Sequence, residues 1–150
     1  NRFKGLKFRQ QIIFYIYYLT IINDSKSTSI ASSENLLKNL KNVYWILCGI
    51  PKKKDKFNLT KFQCKNFKGY IFGKHQMEFS KNLKNKLIIK KFKNLKDTLN
   101  KIFLEIKYNK GEKNIILFSP TWESFYNFKN FEDRGLYFNK KIKKYLNANR

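Results

Sequence analysis

The sequence has few of the residues that break chains and few that hold metals. In 150 residues there are two prolines, Pro51 and Pro120, six glycines and a single histidine. No glycine- or serine-rich stretch divides the chain and no segment repeats, so nothing marks an internal domain boundary. Cys48 and Cys64 are too few for a disulfide framework, and with His75 they match no zinc spacing. They read as reduced, ordinary side chains of a cytosolic protein. Long apolar runs are missing too. The run at residues 11–22, QIIFYIYYLTII, is too short to span a bilayer, and its β-branched and aromatic residues suit a buried strand. No signal peptide precedes it. These absences predict a cytoplasmic chain with no membrane partner.

Acidic residues are also scarce, 10 against 33 basic ones, for a net charge of +23. That excess suggests a phosphate-bearing partner. Arginine, the better reader of bases and bidentate phosphates, occurs only at positions 2, 9, 134 and 150. Lysine rises together with Asn, Ile, Phe and Tyr, as an AT-rich coding bias on a solvated surface would produce, which argues against a nucleic-acid partner. The alternative, a basic RNA- or ribosome-associated protein, rests on charge and aromatic content alone. It requires one continuous basic stripe with exposed aromatics, whereas lysines on every face fit the drifted surface.

What is present is enough for one core: 42% hydrophobic and 17% aromatic residues. Strand-like runs at 12–17, 19–22, 43–47, 69–72, 87–89 and 114–118 alternate with helical patterns at 29–40, 76–83, 95–108 and 130–146. Leu99, Ile102, Phe103 and Ile106 share one helical face. This alternation predicts an α/β, Rossmann-like three-layer domain with about six mostly parallel strands and helices on both faces. In such sheets ligands lie outside the carboxyl ends of the strands. The loops after residues 22, 47 and 118 are therefore the candidate site.

The first loop, Asn23-Asp24-Ser25-Lys26-Ser27-Thr28-Ser29, leaves a strand and enters a helix that Thr28 or Ser29 can cap. Lys26 near a helix N-terminus opposes the dipole, a conflict that a bound anion would resolve. The second loop turns at Gly49 and Pro51 and then carries Lys52, Lys53 and Lys54. Such a run is usually a solvated patch, but here it stands at a strand's end. The third passes Ser119, Pro120, Thr121, Trp122, Glu123 and Ser124 before Asn130, which with Asp133 forms a near capping box. The Phe131 N–H then lies at the positive end of a helix, with Ser124 upstream to complete an anion site.

The three loops, in this order, resemble the C-terminal, amino-acid-binding domain of the D-glutamate-adding Mur ligases. LFSPTWESFYNFKNFEDRG (117–135) is similar to that family's Leu-Ser-Pro, small residues, Ser, then Phe-Lys-Asn-Phe-Glu-x-Arg-Gly. INDSKSTS (22–29) is similar to its Asn-Asp-Ser-Lys-Ala-Thr-Asn loop, and WILCGIPKKKDKF (45–57) to its Trp-Ile-Leu-Gly-Gly loop with a downstream Lys. YIFGK (70–74) and the opening NRF match weaker elements. The resemblance covers nearly the whole chain. It implies part of an ATP-dependent ligase, cytoplasmic, joining D-glutamate to UDP-N-acetylmuramoyl-L-alanine for peptidoglycan. Arg2 and Asp24 would face the nucleotide ribose and Lys26 its phosphates. Thr28 and Lys52 would hold one carboxylate of D-glutamate, and Ser124 with the Phe131 N–H the other.

There are departures. Asn1 replaces a His, Cys48 a Gly, and Thr121-Trp122-Glu123 a run of small residues; the stretch 15–19 lacks a polar turn. No G-x-x-x-x-G-K-[ST] phosphate loop occurs. The expectation is that the N-terminal UDP-binding and central ATPase domains are absent from residues 1–150. They would bind most of the ATP and Mg2+, so the chain alone is inactive, and an inactive remnant is the further alternative.

Overall fold

Val43–Leu47 is buried at all five positions, so alternate side chains must be covered from opposite sides. Val43, Trp45 and Leu47 enter one apolar cluster, while Tyr44, Ile46 and the following Cys48 enter another. The structure is a computed structural model and describes residues 6–49, 56–121 and 128–149. In chain order it contains β1 (Gln11–Ile16), β2 (Leu19–Asn23), α1 (Ile30–Leu37), β3 (Val43–Leu47), a 3-10 turn (Gln63–Asn66) and β4 (Phe67–Phe72). Then follow α2 (Gln76–Leu83), β5 (Ile89–Phe92), α3 (Leu95–Lys107), β6 (Asn114–Phe118) and α4 (Phe131–Ala148).

The six strands form one sheet in the order β1-β2-β6-β3-β4-β5. Every neighbouring pair is parallel except β1 and β2. The first cluster takes Ile30 and Leu37 from α1 and Phe79 and Leu83 from α2. The second takes Leu95, Leu99, Ile102 and Ile106 from α3 and Phe138 and Ile142 from α4. Helices therefore cover both faces, as expected for an α/β, Rossmann-like domain.

The caps agree with the sequence. Ser29 accepts from the Ser32 N–H at 3.2 Å at the head of α1, and Asn130 from the Asp133 N–H at 2.8 Å at the head of α4. The Asp133 carboxylate reaches back to the Lys129 N–H, one residue short of a true capping box. Several boundaries differ from expectation by one to three residues; β4, for example, begins at Phe67 rather than at 69. β5 begins at Ile89, because Leu87 belongs to the core under Gly69 rather than to a paired strand. α1 closes at Leu37, and Asn42 with φ 54° turns the chain into β3. The β1–β2 hairpin turns on Tyr17 and Tyr18, whose rings pack edge to face at 5.0 Å where a polar turn was expected.

Candidate strand-end site

Three strands, β2, β3 and β6, end side by side, and their loops meet there. The loop after β2 is held from both sides. Asn23, fully buried, donates through Nδ2 to the Gly135 carbonyl at 3.0 Å and to Asn139 Oδ1 at 2.7 Å, while its own Oδ1 accepts the Ser25 N–H at 3.1 Å. The Ser25 hydroxyl donates to the Phe131 carbonyl at 2.8 Å. Together with the Asn23–Gly135 bond, this contact seats the 23–29 loop on the N-terminus of α4, joining two of the three predicted loops.

Asp24 is 5% exposed. Its Oδ1 accepts the Gln10 N–H at 3.1 Å and its Oδ2 the Ser119 hydroxyl at 2.8 Å. Burial raises its carboxyl above the ordinary value, against the pull of these two bonds and of Arg9 and Arg134. Behind Ser119 the hydroxyls continue: Ser33 bonds Ser119, and Ser27 bonds Ser33 at 3.0 Å. Each serine has one proton. With Asp24 ionised, Ser119 gives its proton to the carboxylate, Ser33 must donate to Ser119, and Ser27 to Ser33. The Ser27 contact with the Ser29 carbonyl, at 3.3 Å, is the longer leg of that last bond.

Lys26 is exposed, with its ammonium 5.6 Å from the Phe131 ring centre and its N–H bonded to the Phe8 carbonyl at 2.9 Å. Thr28 is half-buried just ahead of the Ser29 cap. Phe131 opens α4, so its N–H belongs to the first turn, where a helix has no internal acceptors. Asp24, Lys26, Thr28 and Phe131 thus lie on two loops in contact. Arg2, Lys52 and Ser124 lie outside the described residues, as do Trp122 and Glu123.

The sequence reading overlooked Arg134. Only 1% exposed, it donates through Nη2 to the Ser25 carbonyl at 2.6 Å and the Ser27 carbonyl at 3.4 Å, and through Nε to the Ser25 hydroxyl at 3.2 Å. A signal was available. Arginine is rare here, and one in the first turn of a helix opposes the dipole unless fixed acceptors face it. Ser33 and Ser119 carried no comparable sign. Thr121 ends the site with a left-handed φ of 73° and a buried hydroxyl without a hydrogen-bond partner among the described residues. Cys48 and Cys64 are buried in opposite clusters, so no disulfide joins them, and burial lifts their thiols to about 12 and about 11.

An open, mostly parallel sheet with helices on both faces and polar loops gathered at its carboxyl edge defines a Rossmann-like α/β domain. No protein-family model matches the chain. Curated relatives do. It is 35% identical over 133 residues to the UDP-N-acetylmuramoylalanine–D-glutamate ligase of Wolbachia sp. subsp. Brugia malayi, covering 89% of this chain and 26% of that one. It is 32% identical over 145 residues to the same-named ligase of Rickettsia felis, covering 97% and 32%. With that of Buchnera aphidicola subsp. Schizaphis graminum it shares 37% over 139 residues, covering 90% and 30%. The chain is similar in sequence to these ligases over 89–97% of its own length, and it spans roughly a quarter to a third of the length of these relatives.

Proposed function

We propose that the chain is the C-terminal, amino-acid-binding domain of an ATP-dependent ligase that adds D-glutamate to UDP-N-acetylmuramoyl-L-alanine in peptidoglycan precursor synthesis. The observation that carries this reading is the seating of the 23–29 loop on the N-terminus of α4, in a chain similar to these ligases over nearly its whole length. A dianionic amino acid needs two separate anion sites, one built on a lysine and one on a helix N-terminus. Thr28 and Lys52 hold one carboxylate, and Ser124 with the Phe131 N–H the other. Arg2 and Asp24 face the nucleotide ribose and Lys26 the phosphates. ATP held by the other domains would supply the phosphoryl group that activates the nucleotide-linked alanine, and the residues of this chain would orient the D-glutamate amine toward that carboxyl.

Among the described residues no three His, Cys, Asp or Glu side chains gather to hold a metal. In this reading Mg2+ and most of the ATP belong to domains outside the chain. The 150 residues alone accordingly neither hydrolyse ATP nor form the amide. No helix among the described residues is long and apolar enough to cross a membrane. Exposed lysines occur on α2 (Lys81) and at its C-cap (Lys84), on α4 (Lys143, Lys144) and on β5 (Lys91). They thus lie on both faces and one edge, rather than in the single stripe an RNA-binding protein would need.

The test is Lys52→Ala in the full-length ligase, beside Lys53→Ala and Lys54→Ala. A charge-assisted bond to a carboxylate is worth about 1.5–3 kcal/mol, so kcat/KM for D-glutamate should fall about tenfold to a few hundredfold for Lys52 alone, with KM for ATP little changed. Equal losses in all three variants would withdraw the assignment.

A further inference from the structure

The two edges of the sheet are defended very differently. An edge strand offers unpaired N–H and C=O groups, and proteins blunt that edge with charge, above all lysine. β5 carries Lys90 and Lys91 within it and Lys93 just beyond. β1, QIIFYI, carries none, and no basic residue occurs from residue 10 to residue 25 in a chain that has 33 of them. Among the described residues no strand pairs with the outer edge of β1.

A bulge between Ile12 and Phe14 gives this edge its character. Ile12 stands opposite Ile22 and Tyr15 opposite Thr20, and directly opposed side chains share a face. The bulge therefore brings Ile12 and Tyr15 out on the same side of the sheet, where they remain 47% and 58% exposed. Tyr17 at the turn is 77% exposed. On the other side, Ile13 and Phe14 border a groove of about 560 Å³ closed by Asn139, Ile142, Lys143 and Leu146 of α4. Backbone valences and apolar side chains are thus presented together at one rim.

We propose that β1 is a self-association edge, taking the β1 of a second copy in antiparallel register about a two-fold axis, so that two six-stranded sheets join into one. The pattern along the strand selects that occupant. Lys7 and Arg9 precede β1, exposed Tyr15 and Tyr17 end it, and no charge lies between residues 10 and 23. Antiparallel pairing sets the cationic end of one copy against the aromatic end of the other and brings Ile12 toward Tyr15 twice over. Ammonium-on-ring packing already occurs at the turn that ends β1, where Lys110 lies 5.2 Å from the Tyr18 ring centre. Parallel pairing would stack Arg9 on Arg9. The inference is independent of the ligase reading.

The experiment is sedimentation velocity on the nuclease-treated 150-residue chain across a concentration series at low and high salt. A species of twice the 18.2 kDa chain mass should grow with concentration and with salt, because screening relieves the repulsion between two +23 molecules. Ile12→Lys and Tyr15→Lys should each raise the dissociation constant by about tenfold or more. Phe62→Lys, at a residue 73% exposed elsewhere, should leave it unchanged. If the lysine variants fail to fold, amide exchange of the parent chain decides: β1 amides should slow as concentration rises. A monomer under all conditions, β1 exchange independent of concentration, a dimer indifferent to both lysines, or one dispersed by salt as a polyanion-bridged complex would be, overturns the proposal.

Discussion

Arg134 Nη2 and Nε grip the carbonyl and the hydroxyl of one residue, Ser25, at 2.6 and 3.2 Å, across 109 positions of sequence. The guanidinium is inside the protein, so these bonds are shielded from water and salt. Arg134→Met keeps much of the volume but leaves the Ser25 and Ser27 carbonyls without that donor. It should lower unfolding free energy by about 2–4 kcal/mol, read from urea midpoints. Arg134→Lys should recover only part, since an ammonium cannot reproduce the planar fork. Full recovery by lysine would show that charge, not geometry, is what the site uses.

Asp24 makes stability depend on pH in an unusual direction. Its carboxyl is raised above 3.8 mainly by burial, so the folded chain keeps a proton that the unfolded chain has released. The stability this gives is fully present below 3.8 and is lost as pH rises through the folded value. Asp24→Asn removes the titration. Subtracting the variant's stability from that of the parent between pH 3 and 7 should give a difference that declines with pH; a rising difference would be evidence against the assignment.

Glu105 should behave in the opposite sense. Burial alone would raise its carboxyl, but the bond from Lys90, the Tyr70 hydroxyl at 2.6 Å and the Lys68 ammonium at 3.6 Å together hold it below 4.5. Its contribution is present above 4.5 and disappears as pH falls through the folded value. Glu105→Gln should cost about 1–3 kcal/mol at neutral pH and almost nothing in strong acid. A constant cost across the range would mean that packing, not charge, holds Tyr70.

Gly135 lies directly beneath the Phe8 ring. A Cβ there would stand 2.7 Å from Cε1 and 2.8 Å from Cγ of a ring that is almost wholly buried. Gly135→Ala should therefore destabilise by about 1–3 kcal/mol through overpacking, although alanine's helix propensity offsets up to about 1 kcal/mol. In a Phe8→Ala background the same change should be neutral or stabilising. Additive losses in the double variant would place the strain elsewhere.

The strands were legible where burial alone decided them: Val43–Leu47 and Asn114–Phe118 coincide with their apolar runs. Leu87 misled because an apolar residue before a strand looks like part of it, although its side chain fills the space under Gly69. The antiparallel entry of β1 could not be read from periodicity, since QIIFYI is apolar on both faces. At the site, Asp24, Lys26, Thr28 and Phe131 stood out because charge and capping chemistry break the apolar pattern. Ser33 and Ser119 did not, because a serine's meaning depends on which hydroxyl faces it 86 residues away.

The order of donors among Ser27, Ser33 and Ser119 links segments that no strand or helix connects. Replace Ser33 with alanine, and Ser119 loses its incoming donor while Ser27 is left with only the longer contact to the Ser29 carbonyl at 3.3 Å. The vacancy opens in α1, yet the unmet demands arise after β2 and after β6. A change at one helical position is thus felt in two loops at once, and Asp24, two bonds away, inherits a partner whose own hydrogen bonding is incomplete.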